Sequence, residues 1–256
     1  MAIGSIDLVE ILFTLFWVFF IGLILYLHRE SKREGYPLQS DRSERDPSIQ
    51  IKGFPAPPPP KSYALAHGGV VTVPRVDPET PLAAEPAAGF PGAPLVPTGN
   101  PMRDGVGPAS YANRSNTPDK TLHGENRIVP MRVATDFAVT GRDPDPRGMS
   151  VIAGDGETAG TVADLWVDRS EPMIVYYEVD LGAANGNKRV LLPSGFVKVA
   201  AGKRQLNVRS IHASQFAAVP ALASPDQITL LEEDKICGYY GGGTLYADEA
   251  RQEPVL

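Results

Sequence analysis

The side chains of this chain best suited to chemistry are acids, and the chemistry open to them is proton exchange. Asp164, Asp168 and Glu171 fall within one short stretch, the last two bracketing a turn that ends at Glu171-Pro172. A carboxylic acid exchanges protons near neutrality only where burial or neighbouring charge lifts its pKa. On residue types alone, a solvated acidic loop is the plainer reading. A second group, His123-Gly124-Glu125-Asn126-Arg127, sets an imidazole and a carboxylate two residues apart. A third, Glu232 and Glu233, falls in the first turns of a predicted helix, where the dipole favours negative charge whether or not it does work.

Other chemistries find no support. The single cysteine, Cys237, allows no internal disulfide and no all-cysteine zinc site; it reads as a packed core thiol in a reducing compartment. The four histidines are scattered; His28 reads as interfacial, and His212 follows a strand. No phosphate-binding or dinucleotide-binding glycine loop is present. Gly241-Gly242-Gly243 reads as a helix stop, and Pro193-Ser194-Gly195 as a turn. A net charge of −6 and a pI of 5.3 leave no basic stripe for nucleic acid. The expectation is a protein without an active site or a metal site of its own.

The elements that must position these acids begin with an anchor. Ile11 to Leu27 is a run of seventeen uncharged residues, and Leu8 and Val9 extend it. That meets the ~20 residues a bilayer-spanning helix needs. Its aromatic residues fall on all sides, so a buried globular helix is the weaker reading. No lysine or arginine precedes Arg29 and Tyr26-Leu27-His28 is no cleavage site, which argues against a signal peptide. Arg29, Lys32 and Arg33 flank only the C-terminal end, which puts the N-terminus in the periplasm and the bulk of the chain in the cytoplasm. Tyr26 is placed for the interface, where its hydroxyl reaches a lipid headgroup; Trp17 lies too deep.

The chain then divides into residues 1–35 as anchor, 36–128 as a proline-rich extended segment, and 129–256 as a folded domain. Seventeen of the 25 prolines fall between Pro37 and Pro118. Proline removes backbone donors and fixes φ, so neither helix nor central strand should persist there. Yet Val70–Val73 reads as a strand, and Phe54, Tyr63, Phe90 and Tyr111 are aromatics a free tether does not need. An extended chain laid over another protein's surface accounts for both. Beyond Val129, strands are predicted at 162–167, 173–181, 189–192, 196–200 and 205–209, with Met173 to Leu181 alternating between a buried and a polar face. Short antiparallel strands at this spacing indicate a small barrel or sandwich. Ser224-Pro225-Asp226-Gln227 predicts a helix start with Ser as N-cap, running to about Tyr240.

Four segments in order carry a resemblance: the single span followed by Arg33-Glu34-Gly35-Tyr36-Pro37, then Asp104 to Ser110, then Leu230 to Tyr239. The chain resembles the H subunit of the purple bacterial photosynthetic reaction centre over essentially its whole length. The resemblance implies a single transmembrane helix, a mainly β cytoplasmic domain of the PRC-barrel type and a C-terminal helix. It implies no enzyme activity and no cofactor bound by this chain alone, within a complex carrying bacteriochlorophyll, bacteriopheophytin, quinones and non-haem iron. The implied partners are the L and M subunits, the light-harvesting 1 helices and membrane lipids. The implied role is to shield the quinones and conduct protons to the secondary quinone in an inner, intracytoplasmic membrane.

It also gives the acids roles. Trp166-Val167-Asp168 and Glu171-x-Met173 match the family's segment nearest the secondary quinone, with Glu171 matching the acid there. His123 matches the first histidine of a His-Gly-His pattern that marks proton uptake and a surface metal site. Glu125 replaces the second, which keeps a proton acceptor and weakens or removes the metal site. Val175 stands where some relatives carry arginine, and Gln227 where a relative carries an acid; Glu232 and Glu233 are retained. The alternative is a membrane-anchored PRC-barrel adaptor or assembly factor for another membrane complex, since fold alone does not fix function.

Overall fold

The computed structural model describes residues 7–36, 38–39, 50–51, 53–66, 68–74, 81–90 and 92–252. Expectations touching residues 1–6 of the anchor, Pro37 of the resemblance and the other positions between these stretches lie outside them. The chain forms two compact units, one of residues 1–80 with 90–92 and one of 81–89 with 93–256.

The first unit is built on α1 (Leu8–Glu30), 23 residues with no side chain buried. At 1.5 Å per residue it is about 34 Å long, enough for a hydrocarbon core of ~30 Å. Asp7 caps its start by accepting from the Val9 N–H at 3.3 Å. Thr14 hides its hydroxyl by donating to the Glu10 carbonyl at 2.8 Å. Together with the following turn, Leu8–Arg33 has a mean hydropathy of 2.6 in its most apolar window. The basic residues past its end do more than face lipid headgroups. The Lys32 side chain is buried and its Nζ donates to the Pro55 carbonyl at 2.7 Å. Arg33 donates to the carbonyls of Pro59 (2.9 Å) and Val73 (3.3 Å) and is also paired with Glu30. A proline-rich chain leaves its carbonyls unpaired, so it offers acceptors to such cations. Short antiparallel pairs complete this unit: β1 (Leu38–Gln39) with β2 (Gln50–Ile51), and β3 (Lys61–Ala64) with β4 (Val70–Val73).

The second unit opens with the hairpin β5 (Ala84–Pro86) and β6 (Leu95–Pro97), then a one-turn helix α2 (Pro101–Asp104). The proline-rich stretch thus holds more regular structure than its composition suggests, all of it in very short pieces. The body is a seven-stranded sheet of β7 (Ile128–Pro130), β8 (Ser150–Ile152), β9 (Thr158–Asp168), β10 (Met173–Asp180), β11 (Arg189–Pro193), β12 (Val197–Ala200) and β13 (Gln205–Val208). The order is β11-β10-β9-β8-β13-β12 with β7 added on β9; only β13 and β8 run parallel. Val151, Leu165, Val179, Leu192 and Leu206 fill the core, each inaccessible to solvent.

Four expectations need correction. The alternation expected in β10 fails in its second half: Tyr176, Tyr177, Glu178 and Val179 are all buried. Bulges at Ile174/Tyr176 and Glu178/Val179 break the two-residue period, and both faces of the strand are covered. The C-terminal helix α3 (Leu230–Tyr246) starts at Thr229, not Ser224. Thr229 Oγ1 accepts from the Glu232 N–H (3.1 Å), and Glu232 Oε2 accepts from the Thr229 N–H (2.8 Å). The three glycines at 241–243 do not stop α3 but lie within it. A Cβ at Gly238 would sit 2.7 Å from the Ala109 carbonyl oxygen, and one at Gly242 would sit 2.5 Å from the Ala109 Cβ. Their absence lets the turn at Gly107–Ala109 seat directly on the helix. That same face takes Gly238 inward and leaves Cys237 exposed, so the cysteine is no core thiol.

Candidate proton-relay site

Strand pairing brings the first two acidic groups together. Ile128 of β7 pairs with Asp168 at the end of β9, so the loop at 119–127 arrives beside the turn joining β9 to β10. The loop is closed on itself: the Gly124 N–H donates to the Thr121 carbonyl and the Thr121 N–H to the Glu125 carbonyl. Gly124 has φ +83°, which a side chain would resist. His123 and Glu125 are therefore presented outwards at the loop's tip, both exposed. Arg169 reaches Glu125 at 3.5 Å from the facing turn. His123, Glu125, Asp136, Arg169 and Ser170 line one shallow cleft of about 510 Å³.

Arg127 joins loop to turn. Its carbonyl accepts from the Arg169 N–H at 2.9 Å. Its Nε donates to Asp168 Oδ2 at 2.8 Å, its Nη2 is ion-paired with the same oxygen at 2.7 Å, and its Nη1 donates to Asp119 at 3.1 Å. Asp168 Oδ1 accepts from the N–H groups of Ser170 (2.7 Å) and Glu171 (3.1 Å). Burial pushes the Asp168 carboxyl up, but the Arg127 guanidinium and the two amides outweigh it and hold its pKa below the usual carboxylate range. Glu171, the next acid, is exposed.

Glu233 behaves oppositely. It is half-buried on α3, and the Tyr176 hydroxyl donates to its Oε2 at 3.4 Å. Burial lifts its pKa above the ordinary value, and Arg114, Tyr176 and Arg127 oppose the shift only in part, while Asp119 adds to it. Glu233 thus lies within electrostatic reach of the Arg127–Asp119 pair. Glu232 is spent otherwise: one oxygen caps Thr229 and the other accepts from the Ala223 N–H at 2.7 Å. Tyr26 belongs to the first unit, exposed near the end of α1.

Asp164 does not join Asp168. It faces Arg132, which donates to it at 3.0 Å and to Glu178 Oε2 at 2.6 Å. The Trp166 indole N–H (2.9 Å) and Arg189 (2.8 Å) complete the set around the buried Glu178 carboxylate. Burial raises the Glu178 pKa, but these donors win and keep it low. This net, and the tie from Arg127 to Asp168, were not read from the sequence. The only trace was Glu178 and Asp164 as acids on neighbouring strands, which are register partners. Among the described residues, no group of three or more His, Cys, Asp or Glu side chains is arranged to hold a metal ion.

Residues 139–215 match the PRC-barrel domain, which fixes the class of the β domain. Residues 1–133, just over half of the chain, match the N-terminal region of the photosynthetic reaction centre H chain. The chain belongs to the reaction-centre H-chain family: a non-catalytic, membrane-anchored subunit with one membrane-crossing helix, a mainly β PRC-barrel domain and a C-terminal helix.

Proposed function

We propose that this subunit covers the cytoplasmic face of the L and M subunits, shields their quinones from water, and passes protons from the cytoplasm towards the secondary quinone. The secondary quinone, held by the partner subunits, supplies the acceptor whose reduction takes up protons. Proton delivery to a buried acceptor needs titratable groups within hydrogen-bond reach of one another or of bridging water. The observation that carries the reading is the meeting of two separately flagged groups: His123 and Glu125 line the same cleft as the turn between Asp168 and Glu171. His123 and Glu125 take the uptake role, Glu171 the delivery role, and Glu233 a reserve position behind them. Burial raises the Glu233 pKa above the ordinary carboxylate value, so it holds a proton more readily than a solvated acid would. Glu232, with both oxygens on backbone N–H groups, serves the fold.

The N-terminus of α1 then faces the periplasm, Tyr26 meets lipid headgroups, and light-harvesting 1 helices flank the span. The 36–128 segment lies across partner surface. Phe54 (86% exposed), Val70 (68%) and Leu122 (98%) support that reading, because such side chains are costly to leave in water.

Glu171→Gln tests the proposal in the purified complex. Flash-driven transfer of the second, proton-coupled electron should slow while primary charge separation stays intact. An unchanged second transfer removes Glu171 from the path.

A further inference from the structure

We propose that Asp168 is a positioning residue rather than a proton carrier: clamped by Arg127, its carboxylate fixes the backbone of Ser170 and Glu171 and so sets where Glu171 presents its acid. The inference deepens the proton-conduction reading above and rests on it.

Asp168 holds its charge in a closely donated setting. Oδ2 accepts from Arg127 Nε at 2.8 Å with the Nη2 cation 2.7 Å away, and Oδ1 accepts from Ser170 N–H at 2.7 Å and Glu171 N–H at 3.1 Å. A carboxylate offers about four lone-pair sites, and here three take hydrogen bonds while the guanidinium charge stands against Oδ2. Protonation would turn one of those acceptors into a donor facing another donor. The side chain is only 5% exposed, so water cannot take over the lost bond cheaply.

Arg127 is itself held. Its Nη1 donates to Asp119 at 3.1 Å, its N–H to the Asp119 carbonyl, and its carbonyl accepts from Arg169 N–H. Loop, ion pair and turn therefore form one braced unit. Charged neighbours come from every side of it: Asp119 on the loop, Arg169 and Glu171 on the turn, Glu125 across the cleft, and Glu233 from α3. Arg127 holds Asp168 Oδ2 with Nε and Nη2 while Nη1 turns to Asp119, a spread of contacts lysine cannot copy in full.

The two roles predict opposite effects of removing Arg127. A carrier freed from its counter-charge would bind protons more readily, and transfer would hold or speed up. A positioning residue would lose its clamp, and Glu171 would shift. Asp168→Asn, Arg127→Gln, Arg127→Lys and the Asp168→Asn/Arg127→Gln pair should be made beside Glu171→Gln. Each is assayed in the intact complex, with its pigment absorption bands confirming assembly, by flash kinetics of the second electron transfer.

Asp168→Asn and Arg127→Gln should each slow it by about tenfold, the scale of a small misplacement of a reacting group. The double variant should be no slower than the worse single one, because both act through one element. Arg127→Lys, keeping the charge and one hydrogen bond, should recover much of the rate. An Arg127→Gln complex as fast as the unaltered one, beside a slow Asp168→Asn complex, would overturn the inference and make Asp168 a carrier. A normal rate in Glu171→Gln would instead remove Glu171 from the path, and with it the reading on which the inference rests, whatever the other variants do.

Discussion

Tyr176 of β10 donates its hydroxyl to Glu233 of α3 at 3.4 Å, joining residues 57 positions apart. The contact links an acid whose pKa burial has raised to a phenol whose own pKa burial raises further. Asp168, on the next strand, is shifted the other way. Two acids of one site thus titrate on opposite sides of their ordinary value, and each leaves a distinct mark on stability.

Glu233→Gln should raise the melting temperature of the full chain in detergent at pH 7 to 8. A carboxyl whose folded pKa is raised binds more protons folded than unfolded, so it costs stability once pH exceeds its unfolded value. The advantage of the glutamine should shrink to nothing as pH falls below ordinary carboxylate values. An advantage that stays constant down to acid pH would assign the effect to packing.

Asp168→Asn should show the reverse slope. A depressed pKa contributes stability above the unfolded value and loses it as pH falls through the folded one. The variant should melt lower than the parent at neutral pH and approach it in acid. Parallel melting curves across that range would contradict the charged ion pair with Arg127.

Gly242→Ala pits two effects against each other. Helix propensity favours alanine by about 1 kcal/mol. The new Cβ would sit 2.5 Å from the Ala109 Cβ and 3.1 Å from its Cα. Overpacking of that kind costs roughly 1–3 kcal/mol, so the variant should be less stable in urea. Limited proteolysis should also find residues 100–116 more readily cut, while a gain in stability would mean the turn at Ala109 yields.

Thr229→Ala should destabilise the full chain by about 1 kcal/mol, the usual worth of an N-cap. The Glu232 N–H would lose the Thr229 Oγ1 that accepts from it at 3.1 Å, and the Asn116 side chain would lose the Thr229 hydroxyl that donates to it at 3.0 Å. Ser224→Ala, at the rejected start, should change little. Equal losses in both variants would contradict the observed cap.

Glu178→Gln should cost more than any surface exchange, on the order of 3 kcal/mol, because it strands two guanidinium groups around a buried position. Chemical denaturation of the full chain reads this directly, and a loss under 1 kcal/mol would show that solvent repays the arginines.

The span and the five later strands are legible because each is a short run rich in apolar residues bounded by charged or turn residues, although the period inside β10 breaks at its bulges. The sequence singles out Asp168 but gives no sign of its tie to Arg127. Arg127 lies 41 residues away in sequence, and only the pairing of Ile128 with Asp168 brings them together. The start of α3 was misplaced because Ser224-x-x-Gln227 and Thr229-x-x-Glu232 both satisfy the capping pattern, and tertiary contacts choose between them. The glycines were read as a stop from their propensity, which fails where a neighbouring backbone needs the space of a missing side chain. Cys237 was put in the core by its type, yet the helical period turns it outwards between Ile236 and Gly238.

Lys32 and Arg33 give the first unit a fixed azimuth. A lone apolar helix is free to spin about its axis, since lipid presents the same face in every direction. Here two cations leaving the helix end grip carbonyls of Pro55, Pro59 and Val73. The hairpin of β3 and β4 therefore cannot stay put while α1 rotates. Span and hairpin turn as one piece, joined by the backbone oxygens of Pro55, Pro59 and Val73.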